Sequence, residues 1–310
     1  MSIAEGERPR RVIIEQVVPE IDGGRFPIKR VPGDRVTVEA DIIADGHDEL
    51  SARVQYRHES DDVWSEAPLE LLVNDRWRGD FPVDRLGDYL YRVQAWPDRF
   101  RTWQRDLKKR IDAGQDIELE LQVGAALVRA AATGAGEDAE RLEQRAEALE
   151  RGWDTELRGS IATDEALLAL MDRHADRSGA TLYDHSLRVS VQRERARFSA
   201  WYEMFPRSAS PDPNRSGTLR DVIDRLPYVA SMGFDVLYLP PIHPIGRTNH
   251  KGRNNAPVGG DEDPGRPWAI GSPAGGHKAV NPDLGTLADL HDLLRAARDH
   301  GIEVALDLAF

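Results

Sequence analysis

The chain has 310 residues, 31% of them charged, with a formal net charge of -13 and a mean hydropathy of -0.54. This length predicts two or three domains, at roughly 100–200 residues per domain. The composition is that of a globular protein without a membrane span, and the acidic balance argues against a nucleic acid as the main partner. The chain has no cysteine, which excludes disulfides and thiolate metal sites and favours a cytoplasmic location.

Residues 11–103 alternate between apolar and polar side chains, with turn signals about every ten residues, which is the pattern of half-buried β-strands. Val36, Val38, Ala40 and Ile42 share one parity, for example. Alternation of this kind predicts an antiparallel arrangement of about seven strands. We therefore expect residues 1–105 to form an immunoglobulin-like β-sandwich.

Residues 106–180 have helical periodicity instead. Ala139, Leu142, Ala146 and Leu149 recur at spacings of three and four between charged residues, as in an amphipathic helix. A short strand pattern then returns at Leu187 within residues 181–197. The sequence therefore predicts an α-helical bundle inserted before the final strand of the sandwich.

An internal repeat follows, because residues 218–239 and 286–308 each begin with Thr, carry Asp three residues later and Gly fifteen residues later, and end in an apolar run. Thr and Asp at these positions are helix start signals, and the glycines are helix stop signals. With the apolar run at residues 198–205, the order is strand, helix, strand, helix, strand. Both a (β/α)₈ barrel and a doubly wound sheet begin in this way.

The loops favour the barrel. None of the three predicted strands is followed by a GxGxxG sequence, so a dinucleotide-binding fold has no direct support. Residues 240–285 instead form a 46-residue loop rich in Gly, Pro, Asn and His. Loops of this length are usually functional, and in barrel enzymes the loops that follow strands carry the active site.

Five segments closely resemble the α-1,4-glucan:maltose-1-phosphate maltosyltransferases, which belong to glycoside hydrolase family 13, the α-amylase clan. They are AWYEMFPRS at residues 200–208, VLYLPPIHPIG at residues 236–246, HKGRNN at residues 250–255, PWAIGSPAGGH at residues 267–277 and NPDLGT at residues 281–286. The resemblance continues upstream through residues 77–107. LPPIHP alone would indicate only the clan, whereas the combination with KGRNN and the upstream segment is specific.

The resemblance implies a cytoplasmic bacterial enzyme that transfers maltosyl units from α-maltose 1-phosphate to the non-reducing end of an α-1,4-glucan, with retention and release of phosphate. It also implies a homodimer, no cofactor, and a β-sandwich with a helical insertion that precedes a (β/α)₈ TIM barrel. Residues 198–310 would then be the first β/α units, three strands of a truncated barrel.

The resemblance places Lys251 at the donor, where an ammonium group suits an anionic sugar. Asn254 and Asn255 are candidates for binding sugar hydroxyls or for making Asx turns, and Asp307 could act on the sugar subsite through hydrogen bonds or serve only as a structural partner of an arginine. His243 and His277 are weaker candidates, and their spacing does not indicate a metal site.

Retaining transfer needs a nucleophile and an acid/base, both carboxylates, which in this family lie at the ends of the fourth and fifth barrel strands. A whole barrel takes about 250 residues, so we assign no catalytic residue to this chain and expect it to be inactive alone.

Two alternatives remain open at this point. One is a non-catalytic glucan-binding or dimerisation module. The other is the N-terminal part of another clan member, such as a trehalose-forming isomerase or a neopullulanase-type hydrolase.

Overall fold

The computed structural model describes residues 11–152, 154–260 and 262–310. The chain divides after Arg193 into two compact units. We refer to residues 11–193 as unit 1 and to residues 194–310 as unit 2. Each unit has its own secondary structure and its own buried core, and each is described separately.

Unit 1 contains long strands in which buried and exposed side chains alternate, as the sequence predicted. The buried residues of β3, for example, include Val36, Val38, Ala40 and Ile42. The strands are β1 Val12–Val18, β2 Ile28–Arg30, β3 Asp34–Ala44, β4 Leu50–His58, β5 Ser65–Val73, β6 Arg76–Val83, β7 Gly87–Pro97, β8 Thr181–Leu182 and β9 Leu187–Val191.

The strands of unit 1 pair along one path in the order β1-β3-β6-β5-β4-β7-β9-β2, with β8 beside β7. Every pairing is antiparallel except that of β2 with β9. The path folds back on itself, because β5 pairs with β4 at one end and with β6 at the other. Phe81 of β6 consequently stacks on Tyr56 of β4, with ring centroids 4.6 Å apart, inside a single core.

Among the residues that the structure describes, five α-helices lie between β7 and β8. They are α1 Arg99–Asp112, α2 Glu118–Ala132, α3 Ala139–Glu150, α4 Thr155–Ala162 and α5 Glu165–Arg173. Helical structure begins at Arg99, several residues before the periodicity changes. The reason is local, because the side chain of Asp98 caps α1 by accepting a hydrogen bond from the Arg101 N–H, as N-cap carboxylates do.

The predicted apolar stripes of the helices are confirmed. Leu142, Ala146 and Leu149 of α3 are fully buried in a core that the helices share. One charged group lies among them: Arg158 is only 4% exposed, and its guanidinium donates to Leu149 O at 2.8 Å and to both carboxylate oxygens of Glu118 at 2.8 and 3.0 Å. These partners compensate the buried charge.

Unit 2 has the predicted order of strand, helix, strand, helix, strand. Its elements are β10 Trp201–Glu203, α6 Leu219–Ser231, β11 Val236–Leu239, α7 Leu287–Asp299 and β12 Glu303–Leu306. The three strands form a parallel sheet in the order β10-β11-β12. The first strand is shorter than its apolar run, because only Trp201 to Glu203 pair with β11.

Both helices of unit 2 begin with the capping box that the repeat predicted. The Thr218 and Thr286 hydroxyls accept from the N–H groups of Asp221 and Asp289, whose carboxylates accept from the threonine N–H groups in return. Gly233 and Gly301 follow the helices with φ of 82° and 70°, the left-handed region in which glycine ends helices.

The third strand of unit 2 is less buried than the second. β12 is only partly buried, and Leu306 is 46% exposed. Within the described residues β12 is an edge strand that pairs only with β11, so one face and one edge have no covering element. No described helix combines the length and the apolar character that crossing a bilayer requires.

Candidate functional site

The candidate site lies at the carboxyl-terminal edge of the parallel sheet in unit 2. β11 ends at Leu239 and continues into the loop of residues 240–285, while β12 ends at Leu306 and is followed directly by Asp307. Parallel strands bring their carboxyl ends to the same edge, which is where ligands bind in open and closed parallel sheets. The long loop and Asp307 therefore share this edge.

Asp307 lies beside two aromatic side chains. The Trp268 indole donates from Nε1 to Asp307 Oδ2 at 2.6 Å, and the Tyr238 hydroxyl lies near the same carboxylate. The pKa of Tyr238 is raised above its ordinary value, first by loss of solvent and then by the neighbouring carboxylates of Asp307 and Glu203. Tyr238 therefore stays protonated as a hydroxyl donor. No arginine in the described part of the chain pairs with Asp307. Its carboxylate contacts the Trp268 indole instead.

Trp268 lies at the surface, with a hydrogen bond and a ring contact to its neighbours. The residue is 40% exposed, and its ring packs edge-on against Phe205 with centroids 5.8 Å apart and an interplanar angle of 76°. The neighbouring Pro267 is buried. An exposed aromatic ring, a hydroxyl and a carboxylate therefore lie together at the sheet edge.

Lys251 is carried by a loop that closes on itself. Gly259 N–H donates to His250 O at 2.9 Å, Gly252 N–H donates to Ala256 O at 3.0 Å, and His250 Nε2–H donates to Asp263 O at 2.7 Å. Gly259 has no room for a side chain, because a Cβ there would lie 2.8 Å from Lys251 C. No hydrogen bond or ion pair joins the Lys251 ammonium group to another residue that the structure describes.

Asn254 and Asn255 have a conformational reason to be asparagine. Their φ values are 51° and 61°, in the left-handed region that asparagine tolerates better than most residues. Both are exposed and lie in or beside a single 3₁₀ turn, Arg253–Asn255. Among the described residues, no hydrogen bond or ion pair joins these asparagines or Lys251 to Asp307.

Arg207 lies outside the loop of residues 240–285 but hydrogen-bonds it. It follows β10, and its guanidinium donates to Gly265 O at 3.0 Å while lying 5.6 Å from the centre of the Phe205 ring. Burial lowers the pKa of Arg207, and no carboxylate within the described ranges forms an ion pair with it. Arg207 and Phe205 also line a small cavity of about 50 Å³ with Asn281 and Leu284.

His243 and His277 of the long loop lie beside each other. His243 is 4% exposed, and its Nδ1–H donates to Pro244 O at 3.0 Å. Its ring lies edge-on to that of His277, with centroids 5.8 Å apart, and His277 donates to Ala309 O. The residues that the structure describes contain no group of three or more His, Cys, Asp or Glu side chains placed to hold a metal ion.

Sequence reasoning missed Trp268, Tyr238 and Arg207. All three lie in segments that resemble the family, at residues 267–277, 236–246 and 200–208. Their side-chain contacts cannot be read from the sequence, and Tyr238 looks there like one more apolar residue of a buried strand.

Known families and proteins match both units of the chain. The family profile described as "Alpha-1,4-glucan:maltose-1-phosphate maltosyltransferase, domain N/S" matches residues 10–193, and that described as "Alpha amylase, catalytic domain" matches residues 203–310. This chain is 50% identical over 302 residues to an α-1,4-glucan:maltose-1-phosphate maltosyltransferase from Chlorobaculum tepidum, which covers 97% of this chain and 45% of that protein. A protein of the same name from Myxococcus xanthus is 48% identical over 313 residues, which is 98% of this chain and 47% of that protein.

The chain thus spans about half the length of the curated relatives it matches. Unit 2 is an α-amylase-like domain with a partial barrel sheet. The profile match over residues 10–193 covers more than half of the sequence. The chain therefore belongs to the α-1,4-glucan:maltose-1-phosphate maltosyltransferase family.

Proposed function

We propose that the chain is the N-terminal part of an enzyme that transfers maltosyl units from α-maltose 1-phosphate to the non-reducing end of an α-1,4-glucan. The observation that carries this proposal is the family match over unit 1 and unit 2 together. The exposed loop with Lys251 supports it, because the loop lies on the edge of the sheet where barrel enzymes bind their substrates.

The reaction would proceed with retention through two displacements. In the first, a carboxylate attacks the anomeric carbon while an acid protonates the departing phosphate. In the second, the acceptor hydroxyl attacks the same carbon and displaces the carboxylate, while the former acid, now a base, takes the hydroxyl proton. The proposal assigns neither carboxylate to residues 1–310. We therefore expect no phosphate release when the 310-residue chain is mixed with α-maltose 1-phosphate and maltotetraose. Release at an enzymatic rate in a phosphate assay would show that the assignment of roles is wrong.

Lys251 is proposed to bind the phosphate group of the donor, with Asn254 and Asn255 shaping the turn that presents it. We expect Lys251→Gln to lower the affinity for α-maltose 1-phosphate by about tenfold, or roughly 1.4 kcal/mol, because the ion pair with the phosphate is lost. The affinity for neutral maltose should change little. Isothermal titration calorimetry with both ligands measures the difference.

Lys278→Gln is the matched control, because Lys278 is the other lysine of the loop of residues 240–285 and is exposed. This variant should bind both ligands as the wild type does. Equal losses for α-maltose 1-phosphate in the two variants would mean that the loop contributes only a general positive charge.

We also propose a division into three modules: an immunoglobulin-like β-sandwich over residues 1–105 with its final strand at residues 181–197, an inserted helical bundle over residues 106–180, and the start of a (β/α)₈ barrel over residues 198–310. The pairing of β7 with both β8 and β9 supports the insertion. The helices occupy the chain between strands that are neighbours in the sheet.

A cytoplasmic homodimer completes the proposal. The absence of cysteine supports the location. Exposed apolar side chains at the end of β5 support self-association, since Leu71, Leu72 and Val73 are 55%, 46% and 65% exposed. Light scattering of the purified chain should give twice the monomer mass, and a monomer at micromolar concentration would contradict the dimer.

A further inference from the structure

We propose that unit 1 carries a carbohydrate site of its own, a cavity between β4 and β5 that binds a short stretch of an α-1,4-glucan. The choice of sugar rests on the proposed function. The cavity itself lies within unit 1 and contains none of the residues that are proposed to bind α-maltose 1-phosphate, so the two assignments can fail separately.

The β4–β5 cavity is lined on two sides by residues 50–53 of β4 and residues 68–71 of β5. It lies where these two strands separate. Their pairing ends at Ala52 and Leu69, and beyond that pair, in the sheet that the structure describes, β4 pairs with β7 and β5 pairs with β6. The opening has a volume of about 580 Å³, within the range of about 300–1,000 Å³ that is typical of ligand pockets.

The lining combines apolar and charged side chains. Ala52, Leu69 and Trp77 are buried and give the cavity an apolar wall. Glu70 and Asp75 are exposed and also line the cavity. Apolar surface with a few polar groups is the usual lining of a small-molecule site. A pyranose ring matches it, since its C–H groups pack on apolar surface while its hydroxyls reach polar side chains.

Two tryptophans of the cavity have unused hydrogen-bond donors. Trp77 and Trp96 are 8% and 2% exposed, and both line the cavity. Neither Nε1 has a hydrogen-bond partner in the described part of the chain. An indole N–H can only donate, and buried donors are nearly always paired. Two unpaired donors beside one cavity therefore indicate an occupant that supplies acceptors.

The cavity also has unused acceptors. Asp48, Glu49 and Asp172 line it, and each of them pairs with an arginine. By contrast, no side-chain hydrogen bond or ion pair joins Glu70 or Asp75 to another residue that the structure describes. Ionised carboxylates only accept hydrogen bonds, so the occupant must offer donors and acceptors together. A sugar hydroxyl offers both, whereas carboxylates repel a phosphate and an ammonium group cannot accept from the indoles.

The test follows the indole N–H resonances of the 310-residue chain labelled with ¹⁵N-tryptophan while maltotetraose is added. The Trp77 signal is assigned by its absence in Trp77→Phe. We expect this signal to shift saturably with a millimolar dissociation constant. The Trp103 signal should stay in place, because its Nε1 donates to Glu120 O at 2.9 Å within the helical core. No saturable shift of the Trp77 signal overturns the proposal.

α-Maltose 1-phosphate separates this cavity from the site proposed at Lys251. Because Glu70 and Asp75 are negatively charged, the Trp77 signal should respond more weakly to α-maltose 1-phosphate than to maltose. Its response to maltose should be the same in Lys251→Gln. If Trp77 responds in this way while Lys251→Gln keeps the full affinity for α-maltose 1-phosphate, the cavity stands and the donor role of Lys251 fails. A silent Trp77 beside a loss of phosphate affinity in Lys251→Gln removes the cavity alone.

A double variant, Glu70→Ala with Asp75→Asn, removes the charge from the cavity. Both residues are exposed, and asparagine tolerates the φ of 63° at position 75, so the fold should persist with an unchanged midpoint of urea unfolding. We expect the maltotetraose affinity read at Trp77 to fall at least tenfold. Unchanged affinity contradicts the assigned role of the carboxylates.

Glu15→Ala is the matched control, because Glu15 is an exposed carboxylate of β1 that does not line the cavity. Its maltotetraose affinity should equal that of the wild type, and a loss equal to that of the double variant would show that only the general charge of unit 1 matters. N-acetylarginine amide is titrated in parallel. If this cation shifts the Trp77 signal and maltotetraose does not, the cavity binds cations and the sugar assignment is wrong.

Discussion

At the scale of single residues, the two capping boxes of unit 2 differ in burial, because Asp221 is buried and Asp289 is only partly buried. Asp221 is 8% exposed and accepts from the Thr218 N–H at 2.7 Å and from Arg215 Nη1 at 2.9 Å. The pKa of Asp221 is held well below its ordinary value, mainly by the hydrogen bond with Arg215 and then by those with Thr218, against the opposing effect of burial. The side chain therefore remains a carboxylate through the acidic range.

We expect Asp221→Asn to lower the free energy of unfolding of unit 2 by about 2 kcal/mol, since it removes a cap and a charge-assisted pair. Because the folded pKa is depressed, the stabilisation is present above the unfolded pKa near 3.9 and is lost as the pH falls through the lower folded value. Urea unfolding at pH 7 and at pH 3 measures both effects.

Asp224→Asn serves as the control on the same helix, because Asp224 is exposed. It should change the free energy of unfolding by less than about 0.5 kcal/mol. A wild-type protein that is no more stable than Asp221→Asn at neutral pH would mean that the carboxylate contributes nothing to folding.

At the scale of elements, the contact of α1 with α2 depends on one glycine. A Cβ at Gly124 of α2 would lie 2.0 Å from Trp103 Cζ2 of α1. The Trp103 indole cannot easily move, because its Nε1 donates to Glu120 O at 2.9 Å and its ring lies in the helical core. Close approach of the two helices, and not the backbone conformation, accounts for glycine at this position.

Gly124→Ala should therefore lower the free energy of unfolding by about 1–3 kcal/mol through overpacking, although alanine is the better helix former. Gly159→Ala in α4 is the matched control, because the nearest atoms to its added Cβ lie at 3.4 Å. This second variant should stabilise the protein by up to about 1 kcal/mol. Thermal or urea unfolding compares the two, and a stabilising effect of both substitutions would show that α1 and α2 separate without cost.

At the scale of the whole molecule, the buried side chains form three clusters that respect the division after Arg193. One cluster belongs to the strands of unit 1, one to its helices and one to unit 2. No residue of unit 2 is a member of the first two clusters, within the residues the structure describes. Unit 1 thus has its full apolar core without unit 2.

Residues 11–193 expressed alone should fold cooperatively, because both of their cores are complete. Circular dichroism and a dispersed ¹H–¹⁵N spectrum are the measurements, followed by urea unfolding. Residues 194–310 alone should be less stable or should associate, since their sheet leaves Trp201 and Leu306 exposed and has an open edge. A molten unit 1 beside a well-folded unit 2 would contradict the division.

The features predicted from sequence all depend on near neighbours in the chain. The alternation in β3, the apolar stripe of α3 and the capping boxes at Thr218 and Thr286 each involve residues a few positions apart. The early start of α1 was missed although its cause is also local, because Asp98 follows an alternating strand without a break in the pattern.

By itself, the sequence determined the types of element, the order of strands and helices in unit 2, and the family, since periodicity, caps and shared segments are all readable along one dimension. Only the tertiary structure decided that Trp268 donates a hydrogen bond to Asp307 across 39 positions, and that Arg207 donates one to Gly265 across 58 positions. The alternation of apolar and polar residues likewise did not predict that β5 pairs with β4 at one end and with β6 at the other. Contacts of this kind exist only after folding has closed long loops, so they have no signature in local patterns of hydrophobicity or charge.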